Sequence, residues 1–146
     1  MNKDFIETRD RYVHFTHLET RWMDNDIYGH VNNVTYYSYF DTAVNKFLID
    51  DCSFDPHGDE IVGIVVETMC SFKKPISFPD QINLGLRIGK LGRTSIRYEV
   101  GVFRENENEA SASGYFIHVF VDRKTNKPVS IPDSFRTSLE RIQLSG

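Results

Sequence analysis

The spacing of hydrophobic residues changes near residue 60. Before that point the apolar residues recur every three to four positions, which is the period of an amphipathic helix and predicts one over residues 32–49. Asn32 or Asn33 would cap its start, because an asparagine side chain accepts a hydrogen bond from an unpaired first-turn amide. The predicted buried stripe consists of Tyr36, Tyr37, Phe40, Ala43, Val44 and Phe47.

Alternating apolar and polar residues predict five strands. One precedes the helix, at residues 12–22, and four follow it, at residues 61–73, 81–90, 93–103 and 109–122. An acidic loop over residues 50–60 and a short helix over residues 133–142 complete the prediction. On the strand over residues 61–73, one face is expected to carry Ile64, Val66, Thr68, Cys70 and Phe72.

Short turns between the later strands predict antiparallel pairing, and the long helix has only the sheet to bury its apolar side against. We therefore predict an α+β fold, in which an antiparallel sheet of five to six strands wraps around one long central helix. The length of 146 residues suits one domain, covering residues 1–146. The uncovered edges and second face of the sheet predict a homodimer, and whether such dimers pair further into a homotetramer stays open.

The charge and composition of the chain limit the kinds of partner that it can bind. A formal net charge of −4 argues against nucleic-acid binding, which needs a basic surface. No apolar run has the length of a membrane span and no signal peptide is visible, so we expect a cytoplasmic protein without a membrane partner. Cys52, expected in the loop, and Cys70, on a strand, are predicted to be free thiols. No metal site is predicted, because Asp50, Asp51, Asp55, His57, Asp59 and Glu60 fit no standard ligand spacing.

The segment from Arg21 to Asp41, RWMDNDIYGHVNNVTYYSYFD, resembles the opening of the hotdog-fold acyl-CoA thioesterases of the 4-hydroxybenzoyl-CoA thioesterase type. Those proteins carry a D-x-D-x-x-G turn before an aromatic-rich helix. Similar segments follow in the same order: FKKPISFPD, LGRTS and KPVSIP. The resemblance implies a hotdog domain that hydrolyses an acyl-CoA thioester to free acid and CoA, with no cofactor beyond the CoA of the substrate.

The resemblance also implies that Asp26 is the catalytic carboxylate, assisted by His30 and Asn33. Asp26 would act as general base on water or attack the carbonyl directly, and both routes stay open. The amides of residues 31–33 would polarise the carbonyl at the positive end of the helix. The structural alternative is that Asp26 only caps the helix or closes an Asx turn.

Two further functions stay open. The same block resembles plant-type acyl-ACP thioesterases, in which an Asp, an Asn and a His cooperate. Asp26 and His30 match that pattern, but Tyr28 replaces the Asn, so His30 either assists the chemistry or only hydrogen-bonds within the turn. The other alternative is a module that binds acyl-CoA without turnover.

The remaining predicted site residues would bind the substrate, at a site between two subunits. Tyr36, Tyr37 and Phe40 would line the acyl pocket. Lys73, Lys90 and Arg93 would contact the CoA phosphates, with ordinary surface charge as the alternative. The other predicted substrate-binding residues lie around the turn and the helix start, and they are Tyr28, Gly29, Val31 and Asn32.

Overall fold

A computed structural model describes residues 6–144 of the chain. Two single turns of 3₁₀ helix lie at Arg9–Arg11 and Trp22–Asp24. The helices of these residues include none that is long and apolar enough to cross a membrane. The regular elements are β1 (His14–Glu19), α1 (Asn33–Cys52), β2 (Ile61–Phe72), β3 (Gln81–Leu91), β4 (Ser95–Arg104), β5 (Ala112–Asp122) and α2 (Asp133–Arg141).

The five strands form one antiparallel sheet in the order β1-β3-β4-β5-β2, and α1 packs against its inner side. Alternate residues of β3 and β4 point inward, so that Leu84, Leu86 and Val100 are fully buried against the helix. The predicted α+β hotdog architecture is confirmed, with five strands. β1 and β2 are the two edges of the sheet.

The long helix starts where predicted but ends later. The Asn32 side chain caps it by accepting a hydrogen bond from the Val34 amide at 3.0 Å. The helix continues past Ile49 and ends where Ser53 adopts the left-handed conformation (φ 57°), so Cys52 is helical and not in a loop. The buried stripe also differs, because Tyr39 and Leu48 are buried whereas Tyr37 is only half-buried.

Three predicted strands began too early or ended too late, because hydrogen bonds outside the sheet take over at their ends. β1 stops before the 3₁₀ turn at Trp22–Asp24. β4 starts at Ser95, whose carbonyl accepts the Gly92 amide and closes the preceding turn. β5 starts at Ala112, because the Ala110 amide donates to Glu7 and residue 109 forms a bridge with residue 8.

The prediction that one face of β2 carries Ile64, Val66, Thr68, Cys70 and Phe72 was wrong, because β2 contains a bulge. The register shifts between Val65 and Glu67, so the inward-outward alternation inverts there. Thr68 pairs with the buried Phe116 and shares its inner face, whereas Ile64 pairs with Val119 on the outer face.

The outer side of the sheet is covered at one place by Tyr12. Its ring lies over two glycines of adjacent strands, and a Cβ on Gly85 or Gly101 would lie 2.9 or 2.7 Å from that ring. The Arg87 guanidinium lies 4.6 Å from the ring centroid on the same side of the sheet. The segment before β1 therefore depends on bare backbone at these two positions.

We expect Gly101→Ala to lower the free energy of unfolding by about 1–3 kcal/mol, because the added methyl group overpacks the contact with Tyr12. Gly92→Ala is the matched control, since its methyl group meets the Ser95 hydroxyl at 3.1 Å, which can rotate away. Urea unfolding at one protein concentration measures both. Equal losses in the two variants would contradict the proposed packing.

Candidate active site

The segment between β1 and α1 is held by the buried carboxylate of Asp24, whose exposed fraction is 2%. It accepts hydrogen bonds from the Arg21 amide at 2.9 Å, the Arg21 guanidinium at 2.9 Å and the Tyr39 hydroxyl at 2.7 Å. Burial works against ionisation, but these donors outweigh it and lower the pKa of Asp24. The Asp24 carbonyl also accepts the Asn32 amide at 2.9 Å, which ties the turn to the helix cap.

Residues 25–31 form a small closed loop around Asp26. The Asp26 amide donates to the His30 carbonyl at 2.9 Å, and the Gly29 amide donates to the Asp26 carbonyl at 3.0 Å. Gly29 has φ 86°, a conformation that favours glycine. Its carbonyl accepts a hydrogen bond from the Ser77 hydroxyl at 2.8 Å, which fixes the loop to the segment before β3.

In the described residues, one oxygen of the Asp26 carboxylate accepts a hydrogen bond and the other accepts none. Its Oδ1 accepts the Tyr28 amide at 2.9 Å and closes an Asx turn, as the structural alternative predicted. It does not cap the helix, because Asn32 does. Within residues 6–144, Oδ2 accepts no hydrogen bond, so the turn leaves this oxygen available.

The prediction that three amides of residues 31–33 are available was wrong for two of them. The Val31 amide donates to the Ile76 carbonyl at 2.6 Å, and the Asn32 amide donates to Asp24. In the described part of the chain, only the Asn33 amide of these three has no acceptor. One backbone donor therefore points from the start of α1 with its hydrogen-bonding capacity unused.

Asn33 lines a recess of about 250 Å³, the Asn33 recess, which brings several predicted residues together. The floor is aromatic, since Tyr36 is buried and its ring lies 5.0 Å from that of Phe72. Burial raises the pKa of Tyr36 to about 12, so its hydroxyl is protonated at neutral pH. The alternating pattern predicted Phe72 on a strand, but Phe72 was not among the predicted site residues. The lining residues are His30, Val31, Asn33, Tyr36, Phe72, Lys73, Lys74 and Pro75.

Asp26 lines a second recess, of about 520 Å³, with neighbours that include Trp22, Met23 and Ile27. Gly29 lines this recess and His30 the first, so the two recesses are adjacent. The three apolar neighbours have exposed fractions of 76%, 74% and 95%. Tyr28 is exposed as well, at 80%.

Four predicted binding residues lie elsewhere in this chain. Tyr37 lines neither recess, and its ring centroid lies 6.2 Å from that of Phe40. Phe40 is fully buried and packs in the core rather than lining a recess. Lys90 and Arg93 lie at the far end of β3, where Arg93 donates to the Ser130 hydroxyl at 2.9 Å. Because α1 starts at the opposite end of the sheet, one chain does not bring Lys90 and Arg93 to Asn33. Among residues 6–144, no group of three or more His, Cys, Asp or Glu is placed to hold a metal ion.

An antiparallel sheet packed on one long helix is the hotdog architecture, and the chain is an enzyme of the thioesterase class. Residues 20–139 match the model of the Thioesterase-like superfamily, and the chain belongs to that superfamily. The narrower 4-hydroxybenzoyl-CoA thioesterase family stays a prediction.

Three similar proteins illustrate the match. The PA5185 protein of Pseudomonas aeruginosa PAO1 is 48% identical, with a TM-score of 0.95 over 97% of this chain and 99% of that one. The long-chain acyl-CoA thioesterase FadM of Escherichia coli K12 is 26% identical over 87% of this chain and 97% of its own. The gentisyl-coenzyme A thioesterase BH1999 is 26% identical, with a TM-score of 0.77 over 86% of this chain and 99% of that one.

We expect Asp24→Asn to cost about 2–3 kcal/mol of folding free energy at neutral pH, because it removes a charge that accepts several hydrogen bonds. The folded pKa of Asp24 lies below its ordinary value of 3.8. The contribution is therefore complete above that value and is lost as the pH falls through the folded pKa. Urea unfolding from about pH 6 down to about pH 2 should show a smaller acid-induced loss in Asp24→Asn than in the wild type. Parallel pH profiles of the two would contradict this role, and Tyr39→Phe is the control that removes one donor and keeps the charge.

Proposed function

We propose that this enzyme hydrolyses an acyl-CoA thioester to a free acid and CoA, with Asp26 as base or nucleophile and the Asn33 amide polarising the carbonyl. The observation that carries the proposal is the unused Asn33 amide at the start of α1, beside the turn that holds the open Asp26 oxygen. Two of the similar proteins, FadM and BH1999, are named as acyl-CoA thioesterases, which supports this substrate class.

The Asn33 amide would donate to the thioester carbonyl oxygen. It stands at the N-terminus of a 20-residue helix, where the helix dipole favours negative charge. As the carbonyl carbon becomes tetrahedral, its oxygen gains charge and this hydrogen bond strengthens. Because Val31 and Asn32 are fixed by their own hydrogen bonds, the donor is already oriented before the substrate binds.

The Asp26 carboxylate would supply the attack. As a base it takes a proton from water, whose oxygen adds to the carbonyl carbon; the carbon–sulfur bond then breaks and the CoA thiolate takes up a proton. As a nucleophile it adds to the carbonyl itself, expels the thiolate and leaves a mixed anhydride that water hydrolyses. Neither route needs a cofactor beyond the CoA of the substrate. His30, which lines the Asn33 recess, would orient the water or the thioester.

A second subunit would complete the site, so we propose a homodimer that can pair further into a tetramer. The exposed Trp22, Met23 and Ile27 beside Asp26 form an apolar surface of the kind that subunits cover. The edge strand β2 also exposes apolar side chains, including Val65 and Val66 at 46% and 56%. Within this arrangement Lys73, at the Asn33 recess, would contact the CoA phosphates, and Lys90 and Arg93 would reach them only from the other subunit.

We expect Asp26→Asn to lower kcat/KM for acyl-CoA by about 100-fold or more, because the amide keeps the acceptor for the Tyr28 amide but loses the base. Asp55→Asn is the matched control, since the Asp55 carboxylate accepts the His57 amide at 3.0 Å in the same kind of turn, away from both recesses. A panel of aliphatic and aromatic acyl-CoAs with detection of free thiol measures both. Full activity in Asp26→Asn would refute the assigned role, and acyl-CoA binding without thiol release by the wild type would favour the binding module.

Asn33→Pro tests the carbonyl donor, because it removes the amide hydrogen at the first helical position, where proline is tolerated. Asn32 already has φ −61° and ψ 137°, which suits a residue before proline. We expect kcat to fall about 100- to 1,000-fold with an unchanged unfolding midpoint. Asn33→Ala keeps the amide and should stay close to wild type. The assignment fails if the alanine variant loses as much activity as the proline variant.

A further inference from the structure

Two polar side chains inside the core have no hydrogen-bonding partner in the described residues. Tyr98 on β4 is fully buried and His118 on β5 has an exposed fraction of 3%. The Tyr98 hydroxyl and the His118 Nδ1 are both unpaired, and the two ring centroids lie 5.4 Å apart, nearly perpendicular. The other unpaired buried atoms belong to the Arg104–Glu107 ion pair and to Ser111, at the opposite end of the sheet.

Two unpaired polar groups of this kind destabilise the fold unless a hydrogen-bonding partner is bound between them, because each group has lost its hydrogen bonds to water on burial. Desolvation raises the pKa of Tyr98 and lowers that of His118 to about 4. Both groups are therefore neutral at neutral pH. A tyrosine hydroxyl and a neutral imidazole can each donate or accept, and together they suit one uncharged oxygen function.

His118 lies on β5, next to the inner side of β2, and Tyr98 lies one strand further away, on β4, opposite Phe116. His118 pairs across the strands with Val65, and a Cβ on Gly63 would lie 2.6 Å from Nδ1 and 2.9 and 3.1 Å from the two ring carbons beside it, so a face of the ring lies over the bare backbone of β2. From Val65 the same inner face continues through Thr68 to Phe72, which lines the Asn33 recess. Val65 and Phe72 have exposed fractions of 46% and 41%, so α1 leaves this row largely uncovered.

We propose that the acyl chain of the substrate lies between α1 and this inner row of β2, and that Tyr98 and His118 hydrogen-bond a hydroxyl or keto oxygen near its far end. The inference rests on the proposed function and names its substrate class, a long-chain acyl-CoA oxygenated far from the thioester. A strand rises about 3.3 Å per residue, so Val65 lies about 20 Å from Phe72 along β2, a distance that only a long chain spans.

The test compares hexadecanoyl-CoA with hexadecanoyl-CoAs hydroxylated at successive positions in the distal half of the chain. We expect the wild type to prefer one hydroxylated substrate by about tenfold in kcat/KM, the size of one or two neutral hydrogen bonds. Tyr98→Phe removes one oxygen atom and should abolish that preference while keeping the activity on hexadecanoyl-CoA. His118→Leu should do the same through the other member of the pair.

A binding measurement separates this inference from the proposed function. Calorimetry with the free hydroxylated and unsubstituted acids should show the same preference in the wild type and its loss in Tyr98→Phe, whether or not the thioester is hydrolysed. Hydrolysis without any preference, or an equal preference in Tyr98→Phe, would overturn the inference and leave the pair as a site for ordered water only. Absence of hydrolysis with every acyl-CoA would instead count against the proposed function.

Discussion

The buried carboxylate of Asp24 is the interaction on which the candidate site depends. A charge with an exposed fraction of 2% is stable only when it is fully hydrogen-bonded, and Arg21 and Tyr39 supply the donors. These donors come from the end of the β1 segment and from the second turn of α1. One carboxylate therefore fixes the distance between strand and helix, and with it the path of the loop that carries Asp26.

The same constraint explains why one backbone donor is left over. A helix start presents several amides without partners inside the helix. Here the Val34 amide donates a hydrogen bond to the Asn32 side chain. The Asn32 amide donates to the Asp24 carbonyl, and the Val31 amide donates to the Ile76 carbonyl. The Asn33 amide remains, at the recess that Tyr36 and Phe72 also line. Hydrogen bonds within the protein thus use the other amides at the helix start and leave the Asn33 amide for a substrate.

The sequence was sufficient for the architecture because periodicity is a local property. The helical stripe and the alternating strands predicted the order of the elements, and Asn32 predicted the cap. The errors arose where contacts between distant residues decide. The partner of the Val31 amide is Ile76, the buried Tyr39 donates its hydroxyl to Asp24, and the bulge in β2 is visible only in its pairing with β5. No local sequence pattern predicts these contacts. The sequence therefore indicated a set of candidate amides and binding residues, but not which amide is available or which residues form the recess.

The proposed substrate contacts share one feature, which is a polar atom without a hydrogen-bonding partner in the described residues. Most buried polar groups here are satisfied, as the Asp24 cluster and the Arg87–Glu7–Glu99 ion pairs on the outer face show. On the inner side of the sheet the exception is the pair of Tyr98 and His118. The Asn33 amide and the second Asp26 oxygen are also unused, but they lie where water reaches them, and they would act on the thioester. An unpaired group in a packed interior is costly, so a ligand oxygen that reaches Tyr98 and His118 would offset a cost that the fold otherwise carries.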